Sequence, residues 1–100
     1  LKKIITLLII IYLITLSEPP IKEINELEIG DYARVTGIVN NSYTTDRLTI
    51  ITLKNNNDSI KTVIFNELHP RPGGLIEVTG RVKNYKGEKE LTGVKVKYLN

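Results

Sequence analysis

The side chains that could carry covalent or metal chemistry are few, and their spacing works against it. His69 is the single histidine among 100 residues and there is no Cys. Paired-imidazole and thiolate metal centres, cysteine catalysis and a His-based triad are therefore excluded. Asp31, Asp46, Asp58 and Glu67 fall at expected turns or strand ends, where acids bond their own backbone. Metal-assisted hydrolysis needs such carboxylates clustered. Pro72-Gly73-Gly74 is too short to cradle a phosphate. The chain is expected to be no enzyme, with no cofactor and no metal, so what remains is non-covalent binding.

Charge locates that binding only coarsely. The formal net charge is +3, but Lys2 and Lys3 stand ahead of an apolar run, and residues 18–100 hold 12 Lys and Arg against 11 Asp and Glu. The distribution says more: five acids and one base, Lys22, lie between Glu18 and Ala33, and six bases with two acids lie between Arg81 and Asn100. A basic patch on one side of the fold is expected.

The elements that must position these groups begin with residues 1–17. Lys2-Lys3 precede Ile4–Leu16, thirteen residues without charge. As a helix that run spans about 20 Å, short of the ~30 Å hydrocarbon layer. The layout predicts a signal peptide or an uncleaved membrane anchor, although Leu16-Ser17-Glu18 is a poor cleavage site, and it leaves the domain membrane-anchored or secreted. A buried Ile-rich strand is the alternative. Pro19-Pro20 end any helix, and residues 18–28, with Ile21, Ile24 and Leu27 among charges, read as a lead-in packed on the domain.

The domain proper, residues 29–100, is organised around two stretches that echo each other. Gly30-Asp31-Tyr32-Ala33-Arg34-Val35-Thr36-Gly37-Ile38-Val39 aligns with Gly73-Gly74-Leu75-Ile76-Glu77-Val78-Thr79-Gly80-Arg81-Val82. Each alternates apolar and polar residues, as a half-buried strand does, and carries a Gly inside the run where a strand bends or bulges. Two such kinks suit a small barrel. Strands are predicted at Tyr32–Val39, Arg47–Lys54, Ser59–Phe65, Leu75–Lys83 and Leu91–Tyr98. Asn40–Asp46 and Asn55–Asp58 read as turns or loops, Asn66–Pro72 as a connector crossing the barrel end, and Tyr85–Glu88 as a turn. In the last strand Val94 and Val96 are expected to alternate with Lys95 and Lys97.

The predicted fold is therefore all-β, a five-stranded Greek-key barrel behind an N-terminal hydrophobic segment, which is the OB-fold layout. The sequence resembles OB-fold nucleic-acid-binding domains of the anticodon-binding and replication-protein-A type. The match covers about Ile29–Tyr98 through Gly30, Val35, Gly37 and Val39, then Leu53 and Asn57-Asp58-Ser59-Ile60, then Gly73, Ile76, Val78, Gly80, Val82, Tyr85, Gly87 and Leu91. Ser59 departs from the Gly that such domains often place after the acid.

The resemblance implies a ligand face on the second and third strands, flanked by the loops after the first and fourth. It implies Tyr43 and Tyr85 as stacking platforms on those loops, Arg34 and Arg47 near the first, and Lys61, Lys83 and Lys86 around the face as phosphate contacts. Tyr85 covering a barrel end, Arg34 paired with Glu77, and ordinary solvated positions for Lys95 and Lys97 are the alternatives. Haem-handling OB-folds place a Tyr four residues after their His, whereas Pro70-Arg71-Pro72-Gly73 follow His69. The expected function is binding of single-stranded DNA or RNA by an exported or membrane-tethered module. The alternative is an extracytoplasmic module for a protein, glycan or small ligand.

Overall fold

The computed structural model describes residues 2–16, of these 10–16 through the backbone alone, and residues 18–100. Leu1 and Ser17, the ends of the expected 1–17 segment, lie outside the described residues. α1 spans Lys2–Leu16. Ile4, Ile5, Leu7, Leu8 and Ile9 are all exposed on it. No helix among the described residues is long and apolar enough to cross a membrane.

Five strands follow, β1 Tyr32–Thr44, β2 Thr49–Asn55, β3 Asp58–Ile64, β4 Leu75–Tyr85 and β5 Glu88–Tyr98. They close into a barrel in the order β1-β2-β3-β5-β4. β3 and β5 are parallel and the other neighbours antiparallel. This is the expected OB-fold. Its stagger can be walked through paired residues: Tyr43 to Ile50, Val63, Thr92 and Arg81, returning to β1 at Tyr32, eleven residues upstream. Such an offset is what lets strands tilt and close around a packed interior.

Alternation fills that interior. Ala33, Val35 and Val39, Ile51 and Leu53, Ile60 and Ile64, Ile76, Val78 and Val82, and Leu91 are buried. Each full burial of a Val, Leu or Ile contributes about 1.5–3 kcal/mol. The glycines inside strands answer the question of space. At Gly37, where β1 passes from pairing with β4 to pairing with β2, a Cβ would lie 2.8 Å from Leu53 Cγ. A Cβ on Gly80 would strike the carbonyl of Thr92, and one on Gly93 would lie 2.8 Å from Val78 Cγ1. Gly80 and Gly93 face each other across β4 and β5, so Leu91-Thr92-Gly93 is a third copy of the apolar-Thr-Gly pattern.

Several boundaries differ from the sequence expectation. β1 continues through Thr44, because a bulge at Asn40 resets its register and lets Asn41–Thr44 pair with Thr52–Thr49. The expected loop shrinks to the Thr45–Leu48 turn, which takes Arg47 out of β2. The β4–β5 ladder slips between Thr79 and Gly80, skipping Val94, which is 66% exposed. Only Val96 of the two valines therefore packs against the core. Tyr85 ends β4, and the turn is Lys86-Gly87, both in the left-handed region at φ 52° and 85° as a two-residue hairpin requires.

Both barrel ends are closed by non-strand segments. In the lead-in, a single 3₁₀ turn at Ile24–Glu26 puts Ile24 and Leu27 into the core, and Gly30 and Asp31 bond the backbone of Val82. At the other end Leu68 packs on the core, its carbonyl accepting from Thr44 Oγ1 at 2.7 Å and its N–H donating to Thr49 Oγ1 at 2.9 Å.

Candidate functional site

Side chains on the outer face follow from register. One outward row runs Asn41, Thr52, Lys61, Glu90 and Lys83 across β1, β2, β3, β5 and β4. Lys61 Nζ lies 3.7 Å from Glu90 Oε2 in that row. Tyr85, two residues beyond Lys83 on β4, pairs with Glu88 and is 50% exposed. Its ring receives two cations: Lys61 Nζ at 5.2 Å from the centroid and Lys86 Nζ at 5.3 Å. Both ammoniums are within cation–π range of a ring that stays half exposed. Lys61, Tyr85, Lys86, Lys89, Glu88 and Glu90 line a shallow groove of about 240 Å³.

The neighbouring row is apolar. Tyr43, 64% exposed, pairs with Ile50, and Ile50 with Val63. Val63 is buried, and Phe65, just past the end of β3, is 70% exposed. The outer face of β2 and β3 thus has a cationic end at Lys61 and an aromatic end at Tyr43 and Phe65. Lys61 and Phe65 are separated by four residues of chain, roughly 13 Å.

The structure brings together Lys61, Lys83, Tyr85 and Lys86 of the expected residues. Tyr43 lies at the other end of the same face and on a strand, not on a loop. Arg47 stands beyond it in the β1–β2 turn, where its N–H donates to Thr45 Oγ1 at 3.2 Å. Arg34 is elsewhere: it pairs in register with Thr79 of β4, on the far side of the barrel. Its Nε donates to the Pro19 carbonyl at 2.8 Å, and its Nη1 lies 3.2 Å from Glu18 and 3.9 Å from Glu77. Those partners make it a clasp for the lead-in, in line with the pairing to Glu77 weighed above. Phe65 was missed by the sequence reasoning, although its parity with Lys61 was the signal that could have found it.

Other polar groups serve the fold. His69 pairs with Glu67 at 3.2 Å on the surface. Asp31 accepts from the Glu28 N–H at 2.9 Å and from Lys22 Nζ at 3.1 Å, which hold its carboxyl below the usual carboxylate value. Among the described residues no three His, Asp or Glu side chains converge on a metal-binding group.

No protein-family model matches the sequence, and neither does any curated protein. Solved structures are similar in fold. A domain of replication protein A from Methanococcus maripaludis superposes with a TM-score of 0.70 at 21% identity, over 78% of this chain and 93% of that one. Entamoeba histolytica asparaginyl-tRNA synthetase, solved with asparaginyl-adenylate, gives 0.73 at 16% identity over 82% of this chain. This chain spans about a quarter of the synthetase, 24% of its length. The S. pombe Stn1–Ten1 complex gives 0.59 at 13% identity, over 68% of this chain and 57% of that one.

Proposed function

We propose that this OB-fold binds single-stranded nucleic acid across the outer face of β2 and β3. The observation that carries the reading is the half-exposed Tyr85 ring with the Lys61 and Lys86 ammoniums beside it at the margin of that face. A base can stack on an exposed ring while the cations meet the flanking phosphates, and stacking is sequence-tolerant because every base has a π-face. Tyr43 and Phe65 offer the same contact at the other end. Likeness to a replication protein A domain supports the reading through the fold. The chemistry is binding without a covalent step.

The module is exported or tethered by residues 1–17. Support comes from the Lys2-Lys3 pair followed by a helix on which Ile4, Ile5, Leu7, Leu8 and Ile9 are exposed.

The test is a titration of residues 18–100 with fluorescent single-stranded DNA and RNA at low and physiological salt. The buried core lies between Ile24 and Leu91, so that piece keeps the barrel whole. Salt-sensitive binding, weaker for duplex, is expected, and no binding at low salt overturns the proposal. A second reading, recognition of a protein or small ligand, has its own observation. Phe65, Leu68, Val94, Val96 and Tyr98 line an open groove of about 500 Å³ where β3 departs from β5.

A further inference from the structure

We infer that the outer face of β1, β4 and β5 around Arg34, Lys95 and Lys97 docks on anionic lipid headgroups. The ligand face of β2 and β3 is then presented away from the membrane. This rests on the tethered reading of residues 1–17, and the geometry that carries it is the shortness of the connection. α1 ends at Leu16, and Pro19 is already part of the barrel: its carbonyl accepts from Arg34 Nε at 2.8 Å, and the next carbonyl, of Pro20, accepts from the Arg34 N–H at 2.9 Å. Three peptide steps reach at most roughly 11 Å. The headgroup layer beside the hydrocarbon is about 5–8 Å deep. A bilayer that takes up α1 is therefore brought against the barrel on the side that Pro19 joins.

The charge on the face suits that neighbour. Arg34, Thr79 and Lys95 pair across β1, β4 and β5, and Thr36, Glu77 and Lys97 form the adjacent row. Lys95 and Lys97 line the same groove as Pro19. Its two carboxylates, Glu18 and Glu77, are both engaged by Arg34. Both lysines are exposed, and neither has an ion-pair partner among the described residues. Beside them Ile21, bridged to Arg34, and Tyr32, under the Arg81 guanidinium, are exposed. Cations with interspersed apolar and aromatic tips are the composition that sits at a headgroup boundary. In the barrel order β2 and β3 lie across from β4.

The chain has no Cys, which makes single labels unambiguous. The full chain is prepared as Ile21→Cys and, separately, Ser59→Cys, each with an environment-sensitive fluorophore. It is mixed with vesicles of phosphatidylcholine alone or doped with phosphatidylserine. Flotation reports tethering and acrylamide quenching reports which face is covered. The expected result is flotation with both vesicles, a label at 21 shielded most on anionic vesicles, and a label at 59 quenched as in solution. Lys95→Glu with Lys97→Glu should still float but lose the docked state on anionic vesicles roughly tenfold or more.

Flotation with both labels quenched alike overturns the docking face and leaves the tether standing. Failure to float overturns the tether and the inference with it. If the double variant keeps its shielding but loses single-stranded DNA, the lysines serve nucleic acid and the lipid assignment falls.

Discussion

Lys61 Nζ sits 5.2 Å above the ring centre of Tyr85 and 3.7 Å from Glu90, so one ammonium ties β3 to both β4 and β5. The contact is open to solvent, and its stability contribution is small. Its importance is positional, because it holds an aromatic ring and a cation side by side at the margin of the proposed binding face. Tyr85→Phe should keep single-stranded DNA affinity, whereas Tyr85→Ala should weaken it by about 1–3 kcal/mol. Lys61→Ala should reduce the salt slope by about one unit. Fluorescence anisotropy at several salt concentrations measures all three, and unchanged affinity in Tyr85→Ala would refute this site.

Phe65 and Arg34 should separate binding from folding. Phe65 is exposed and outside the core, so Phe65→Ala should shift stability by no more than about 0.5 kcal/mol and weaken oligonucleotide binding by about 1–3 kcal/mol. Arg34→Ala should do the opposite. Loss of its bonds to Pro19 and Glu18 should lower stability by about 1 kcal/mol with DNA affinity intact. Thermal melts run beside the titrations decide both, and a binding defect in Arg34→Ala would return that residue to the interface.

Leu27 and Thr62 are fully buried with opposite consequences. Leu27→Ala should cost about 2–5 kcal/mol, as for other buried leucines, although it lies outside every strand. Thr62 Oγ1 finds no hydrogen-bond partner among the described residues. Thr62→Val removes an unsatisfied polar atom at nearly constant shape and should stabilise by about 1 kcal/mol. Urea unfolding of the two variants gives the signs directly.

Asp31 sets an acid-side dependence. The Glu28 N–H, first, and the Lys22 ammonium lower its folded pKa from 3.8. A lowered carboxylate adds stability that is complete above the unfolded pKa and is lost as pH falls through the folded one. The difference in stability between the parent chain and Asp31→Asn should therefore be constant at neutral pH and shrink only below about pH 4. NMR titration of the Asp31 carboxyl should give a midpoint under 3.8. A midpoint above it would contradict the bonds described.

Much of the barrel was legible in the chain because its signals are local. Alternation marks a buried face whatever the partner strand, and Ile76, Val78 and Val82 share that face. A Gly inside such a run marks a place where backbones close up, as Gly37 and Gly80 do. Asn56 and Gly87 mark turns through their own tolerance of the left-handed region, at φ 57° and 85°. For the site, residue types were legible too: exposed Tyr and Lys near expected turns.

Register and capping were decided by tertiary structure. Asn40 as a bulge, Tyr43 on a strand and Val94 turned outward all depend on which residue of a neighbouring strand stands opposite, and a one-residue slip reverses every side chain. The same holds for the grouping of Lys61 with Tyr85 and Lys86, which are distant in sequence and adjacent only because β3 meets β5 in parallel. Arg34 looked like a ligand contact by type, and the structure makes it the clasp that binds Pro19. Alternation and turn preference are properties of a few consecutive residues, so the sequence alone determined the barrel and its corners. Which cations face which ring depends on contacts between strands, and only barrel closure decided it.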